Sequence, residues 1–243
     1  MNHTHYSYRD ADYRLLTSDN LAAQQEIRRQ RTVLEEYITS HPDFRTSLEP
    51  LPFSPDAPSI VRRMMVASLL TRTGPMAAVA GAIAEYAARE SWKKTGTDAV
   101  IDNGGDLFLI TSTVLHIAIY AGKESPFNAL AYRIEPDLTP LAICSSSGTM
   151  GHSLSLGCAD LVTVFSRDAA LADCTATMTA NLIRTADDLK AAVEHACTVP
   201  GIMGASAIKD DKIALAGRVG RLVRHTDLRF SEKITYHPLG RPA

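Results

Sequence analysis

The sequence predicts an α+β fold in which a largely antiparallel sheet is flanked by helices. Three observations predict it. Helical hydrophobic patterns come first, a long series of strand-like runs follows, then two helical patterns, then strands again. The regular strand–helix alternation of a parallel sheet is absent. An Asn103-Gly104 step lies between two short apolar runs, the strongest short-range sign of an antiparallel hairpin. The helical stretches are also rich in Ala and Gly, and such small side chains let a helix backbone press closely on its neighbours.

Taken in order, Tyr6–Leu16 alternates as a strand pair turning at Asp10–Asp12. Ser18 or Asp19 then caps an amphipathic helix running to about Ser40, with Leu21, Ile27, Leu34 and Ile38 on one side. Its Arg-Arg-Gln-Arg run reads as a solvated face, because no aromatics are interleaved to stack bases. His41–Pro58 holds five prolines and reads as a loop. Ser59–Thr71 is apolar around much of its circumference, so it is expected to be a buried helix. Gly74–Ala84 is a second helix with Pro75 in its first turn. It reads either as tight helix–sheet packing or as an open N-terminus facing an anion, with Gly74 and Ala78 against the ligand.

Ala99–Asp102 and Leu107–Thr111 form the hairpin around Asn103-Gly104-Gly105-Asp106. The turn has two readings: a bare type I′ connection, or a place where a ligand lies against the glycine main chain while Asn103 or Asp106 reads its polar groups. Val114–Tyr120, Ala129–Ile134, Leu141–Cys144 and Ala159–Phe165 are further strands, followed by helices over about 168–183 and 186–197. Ile202–Ile208 and Ile213–Ala216 read as a hairpin, Arg218–Arg224 as a last strand, and 226–243 as a polar tail. The organisation expected is a single domain over 1–243. Residues 1–58 form its strand pair, helix and Pro-rich loop, 59–225 its core, and 226–243 its tail.

The composition excludes several classes. Basic residues number 25 and acidic 27, for a formal charge of −2, so no global field favours nucleic acid or an anionic membrane. No uninterrupted apolar run is long enough to span a bilayer, and none follows the N-terminus as a secretory signal would, so a cytoplasmic protein is expected. The four cysteines (Cys144, Cys158, Cys174 and Cys197) lack zinc-site spacing and read as reduced thiols. Three of them fall in or beside the stretch that carries the chemistry, which leaves a thiol role open.

That stretch is Cys144–Asn181. Ser145-Ser146-Ser147-Gly148 opens a loop whose hydroxyls and N–H groups suit phosphate, although it lacks the lysine of a P-loop. His152 follows as an acid/base or phosphate-contacting candidate, or as a plain loop histidine. Asp173 and Thr177, four apart, share one helix face and offer the oxygen ligands that magnesium takes. The alternative is a Thr hydroxyl bonded back to its own helix beside a solvated Asp.

In their order and rough spacing, these blocks resemble the ApbE-like flavin transferase superfamily. Gly74–Ala84 is similar to its alanine/glycine-rich helix, and Val100–Leu107 to its strand ending in Gly-Gly-Asp. Ala142–Gly148, Val162–Val164 and Ala172–Thr177 resemble its Ser-Gly loop, Val-Thr-Val strand and Ala-Asp-x-x-x-Thr metal helix. The match spans roughly residues 59 to 225. It implies an ApbE-like fold, Mg2+ and FAD or a related dinucleotide as cofactors, and transfer of FMN to a threonine of an acceptor protein. By that resemblance Asp173 and Thr177 hold the metal, and Gly104, Gly105, Asp106, Ser146, Ser147 and Gly148 line the nucleotide cleft. Asp173 and His152 are the catalytic candidates; a nucleotide and an acceptor protein are the expected partners, with a homodimer open.

Two departures stand out. The superfamily's lysine just before the helix glycine is Ala80 here, and the Asp-Pro-x-Thr-Gly after its loop histidine is replaced by Ser-Leu-Ser-Leu-Gly after His152. Two rival functions follow: a non-catalytic binding or assembly protein on the same fold, or, from relatives in the same branch, a distinct enzyme of anaerobic sulfur or homocysteine metabolism.

Overall fold

The computed structural model describes residues 3–148 and 157–225. The chain opens with a hairpin of β1 (Thr4–Tyr8) and β2 (Ala11–Thr17) and enters α1 (Asn20–Ser40). Asp19 is the cap: its carboxylate accepts the Ala22 N–H at 2.9 Å. The Pro-rich segment contains one helical turn that the sequence reading took as loop, α2 (Asp43–Thr46). Its Phe44 is buried edge-on against Tyr37 at 5.2 Å. Burial of Phe44 in the main core anchors this turn among the prolines. Helix α3 (Ser59–Thr71) is buried along one side. The small-residue segment begins as a short 3-10 turn, Pro75–Ala78, and becomes α4 (Val79–Thr95).

Strands β3 (Ala99–Asn103), β4 (Asp106–Ile110), β5 (Leu115–Ala118), β6 (Leu130–Ile134), β7 (Leu141–Ser146) and β8 (Leu161–Ser166) follow. Then come α5 (Ala169–Leu182), α6 (Leu189–Ala196), β9 (Ile202–Lys209), β10 (Lys212–Gly217) and β11 (Arg221–Arg224). The last strand starts later than the sequence suggests, because the Arg218 N–H is taken by the Met203 carbonyl at 2.6 Å.

Eight strands make one sheet in the order β1-β2-β3-β4-β7-β8-β9-β10, every pairing antiparallel. The sequence anticipates the antiparallel character but not a second sheet of three strands, β11-β6-β5. The large sheet is covered on both faces. On one, Ile101, Phe108, Ala142 and Val164 pack beneath the helices. On the other, Val100, Leu109, Ile143 and Phe165 meet Tyr132 and Ile134 of the small sheet. Each fully buried large apolar side chain contributes about 1.5–3 kcal/mol. The central strands are therefore a stiff floor, and the helices above them are what bring distant polar residues together. No single helix among the described residues is long and apolar enough to cross a membrane.

Candidate functional site

The residue before α4 is Ala78, which is buried and has no side chain to cap with, so the first N–H groups of α4 need an outside acceptor. Asp173 of α5 provides it. Its Oδ2 accepts the Gly81 N–H at 2.9 Å, and the Ala80 N–H bonds to the same carboxylate. Gly81 is what allows this approach: a Cβ there would stand 2.4 Å from the Ala169 carbonyl oxygen and 3.0 Å from the Asp173 Cβ. The anion that the small-residue helix faces is thus a carboxylate of the protein itself. Gly74, just before the 3-10 turn, lies against the Pro-rich segment, where a Cβ would be 1.9 Å from the Ser47 carbonyl oxygen.

Across from Asp173, the β3–β4 hairpin turns through Gly104 and Gly105, with φ of 66° and 104°. These values demand glycine and fit a type I′ turn. No atom stands within 4 Å of where a Cβ would sit on either glycine, so the turn's main chain is open to a visitor. Asn103 and Asp106 directly oppose each other below it. The Asn103 amide donates to the Ala80 carbonyl at 3.1 Å, tying the hairpin to the start of α4. Asp106 is buried and accepts the Ser145 N–H at 3.1 Å.

The electrostatics of this pair are unusual. Burial pushes Asp173 up to about 7, against the pull of the Gly81 and Ala80 N–H groups. Burial raises Asp106 well above the usual carboxylate range, and the neighbouring charge of Asp173 raises it further. Two buried carboxylates, one near enough for its charge to raise the proton affinity of the other, are costly unless protonated or bridged by a cation. Folding therefore raises the proton affinity of both, so the folded state holds more protons than the unfolded one between about pH 4 and about pH 7. The sign is opposite to that of a salt-bridged Asp: stability is highest below the unfolded pKa and is lost as pH rises through the folded one. Urea unfolding without divalent cation is expected to show stability falling by a few kcal/mol over that window. A flat profile would mean that the carboxylates are hydrated.

The remaining predicted residues gather at the same end of the sheet. Ser146 and Ser147 end β7 or lie just beyond it, both buried, and the Ser146 Oγ has no hydrogen-bond partner among the described residues. Gly148 closes the neck of its loop by donating its N–H to the Ala159 carbonyl at 2.9 Å, so that N–H is not offered to a ligand. Thr177 is half-buried on α5, one turn beyond Asp173. His152 lies outside the described residues. Cys144 is buried beside Asp106 and donates to the Ala169 carbonyl at 3.5 Å, its thiol pushed well up by burial. Burial also pushes Cys174 up to about 12, so both sit as neutral thiols rather than nucleophiles. Cys158 is exposed.

The donor set is hard: two carboxylates, a half-buried hydroxyl and an orphaned one. No three of His, Cys, Asp and Glu cluster as a metal site among the described residues. Oxygen donors of this kind suit magnesium, which takes one or two carboxylates and completes its shell with waters and phosphate oxygens, better than zinc. Sequence reasoning named Asp106 and Asp173 separately but missed their confrontation, which arises only when α5 packs over β4. It also missed Glu85, whose signal was a carboxylate on the otherwise small-residue stripe Ala78, Gly81, Ala82, Ala88.

A family profile described as AbpE bacteria matches residues 4–208. A UPF0280 protein of Methanothrix thermoacetophila is 46% identical over 191 residues, covering 78% of this chain and 79% of that protein. The apo flavinyl transferase ApbE of Pseudomonas stutzeri superposes with a TM-score of 0.56 at 14% identity, over 89% of this chain and 93% of that one. The flavin transferase ApbE of Vibrio cholerae gives 0.52 at 14% identity, over 89% and 96%. At such identities the two structures show a shared fold, the α+β arrangement expected from the sequence.

Proposed function

Since the chain belongs to the UPF0280 proteins and to the family described as AbpE bacteria, we propose that it binds Mg2+ with a flavin or other dinucleotide and performs phosphoryl- or FMN-transfer-type chemistry. The observation that carries this reading is the buried Asp106–Asp173 pair, with no cationic side chain against it among the described residues, beneath an open glycine turn. Once ionised, such a pair repels a bare diphosphate, and Ala80 stands where a lysine would have offset the charge. A diphosphate therefore enters only together with a cation.

Asp173 and Thr177 would hold that cation, with Asp106 facing it. When bound, the ion would offset charge on the phosphate oxygens and on the leaving group. Asp173 stays oriented by the Gly81 and Ala80 N–H groups throughout. The Ser146 hydroxyl, lacking a partner, is the natural donor to a phosphate oxygen. Gly104 and Gly105 leave room for the ligand to lie against the main chain. His152, from its place in the sequence alone, is the proton-transfer candidate, and an acceptor protein would supply the attacking hydroxyl.

Isothermal calorimetry with FAD tests this. Binding is expected to tighten at least about tenfold on adding millimolar Mg2+ and to lose that dependence in Asp173→Asn, the scale on which metal-ligand changes act. FAD that fails to bind with or without Mg2+ overturns the reading. Ala80 specifically favours a second reading, a nucleotide-binding protein without transfer activity. An assay of FMN attachment to a threonine-bearing acceptor separates the two: labelled acceptor excludes it.

A further inference from the structure

The two helices that carry the site cap each other. Asp173 of α5 accepts the Gly81 N–H of α4 at 2.9 Å, and Glu85 of α4 accepts the Ala169 N–H of α5 at 2.9 Å. Gly81 and Glu85 are one turn apart on α4, and Ala169 and Asp173 are one turn apart on α5. Two turns and two hydrogen bonds thus close a ring, with the missing side chain of Gly81 at its tightest contact.

Glu85 is only 1% exposed, yet its carboxylate is held from three sides. Besides the Ala169 N–H, its carboxylate accepts from Arg63 Nη2 at 2.8 Å and from Arg89 Nε at 2.7 Å. Arg63 continues the clamp to Asp168 at 2.9 Å, and Asp168 caps α5 through the Leu171 N–H at 3.0 Å. A buried ion network of this kind is weak as a source of stability, since apolar residues of similar volume often do as well. What it supplies is a fixed address. Helix α5 cannot slide along α4 without breaking both the Glu85 and the Asp173 bonds.

We propose that Glu85 is a positioning residue for the cation site: by pinning Ala169 it sets where the next turn of α5 falls, and so holds Asp173 against Gly81 and facing Asp106. The inference rests on the cation reading given above. It predicts that Glu85 acts on metal affinity without touching the metal, as outer-sphere partners do, by about tenfold or more.

The test uses the whole protein and Mn2+ alone, followed by its electron paramagnetic resonance signal, with the Gly81 amide proton read by NMR in metal-free samples. Glu85→Gln is expected to weaken Mn2+ binding about tenfold or more and to move the Gly81 proton upfield as its bond to Asp173 lengthens. Glu26→Gln is the control. Glu26 is a buried acid on α1, bonded to Arg29 and Gln30. Its loss is expected to lower thermal stability while leaving both readouts unchanged. Wild-type affinity and an unmoved Gly81 proton in Glu85→Gln overturn the proposal. Where Glu85→Gln does not fold, Glu85→Asp keeps the charge on a shorter arm; unchanged readouts there overturn it equally. Wild-type protein that binds no Mn2+ overturns the cation reading and this proposal with it. The Gly81 proton then shows separately whether the clamp itself exists.

Discussion

Gly81→Ala is expected to destabilise the protein by about 3 kcal/mol, seen as a lower urea midpoint at an unchanged m value. The sign is diagnostic. Helix propensity alone favours alanine over glycine by about 1 kcal/mol, so an exposed helix would be stabilised. Here the added methyl would sit 2.4 Å from the Ala169 carbonyl oxygen and 3.0 Å from the Asp173 Cβ, neither of which is the end of a flexible side chain. The helices can accommodate it only by parting, which also lengthens the Gly81–Asp173 bond and blunts any response to Mg2+. A rise in stability would show that α4 and α5 have room to separate, and the reciprocal capping argument would fail with it.

Asp106→Asn is expected to move stability and function in opposite directions. The asparagine oxygen can still accept the Ser145 N–H, while its amide offers Asp173 a donor in place of a second negative charge. At about pH 8, without divalent cation, the variant should be more stable than the parent by about 2 kcal/mol, because a like-charge pair in a dry cleft has been relieved. The same change should abolish the thermal shift produced by Mg2+ and the Mg2+ dependence of FAD binding. Thermal unfolding at about pH 8 with and without Mg2+ reads both. A variant that loses stability, or that keeps the Mg2+ shift, removes the paired-carboxylate account of the site.

The legible parts of this protein were those decided locally. Asn103-Gly104-Gly105-Asp106 announced its hairpin because only glycine tolerates both turn conformations, and that hairpin is where the turn forms. The spacing of Asp173 and Thr177 fixed their common helix face before any tertiary contact was known. What stayed hidden depends on which face of the sheet a helix covers. Strands β5, β6 and β11 each looked like strands, yet nothing in their alternation marks them as a separate layer. Gly74 and Gly81 looked equivalent in a run of small residues. One packs on the Ser47 carbonyl and the other on α5, a difference that side-chain pattern cannot encode. Glu85 is illegible for the same reason: its partners come from its own helix, from α3 and from the distant α5.

The small sheet has a consequence for how the molecule comes into being. Its strands derive from residues 115–118, 130–134 and 221–224, so its third member leaves the ribosome about ninety residues after the second. Until then Leu222 is missing from beside Tyr132, its register partner, and one flank of that layer is unfinished. The nascent chain can lay down the helices and the central strands as they emerge, but their second cover closes only when β11 has followed. Such long-range strand pairing is slow, because loop closure costs entropy before contact is made. Strand β11 is therefore a bolt drawn from a distant part of the chain, and the small sheet is complete only once it is shut.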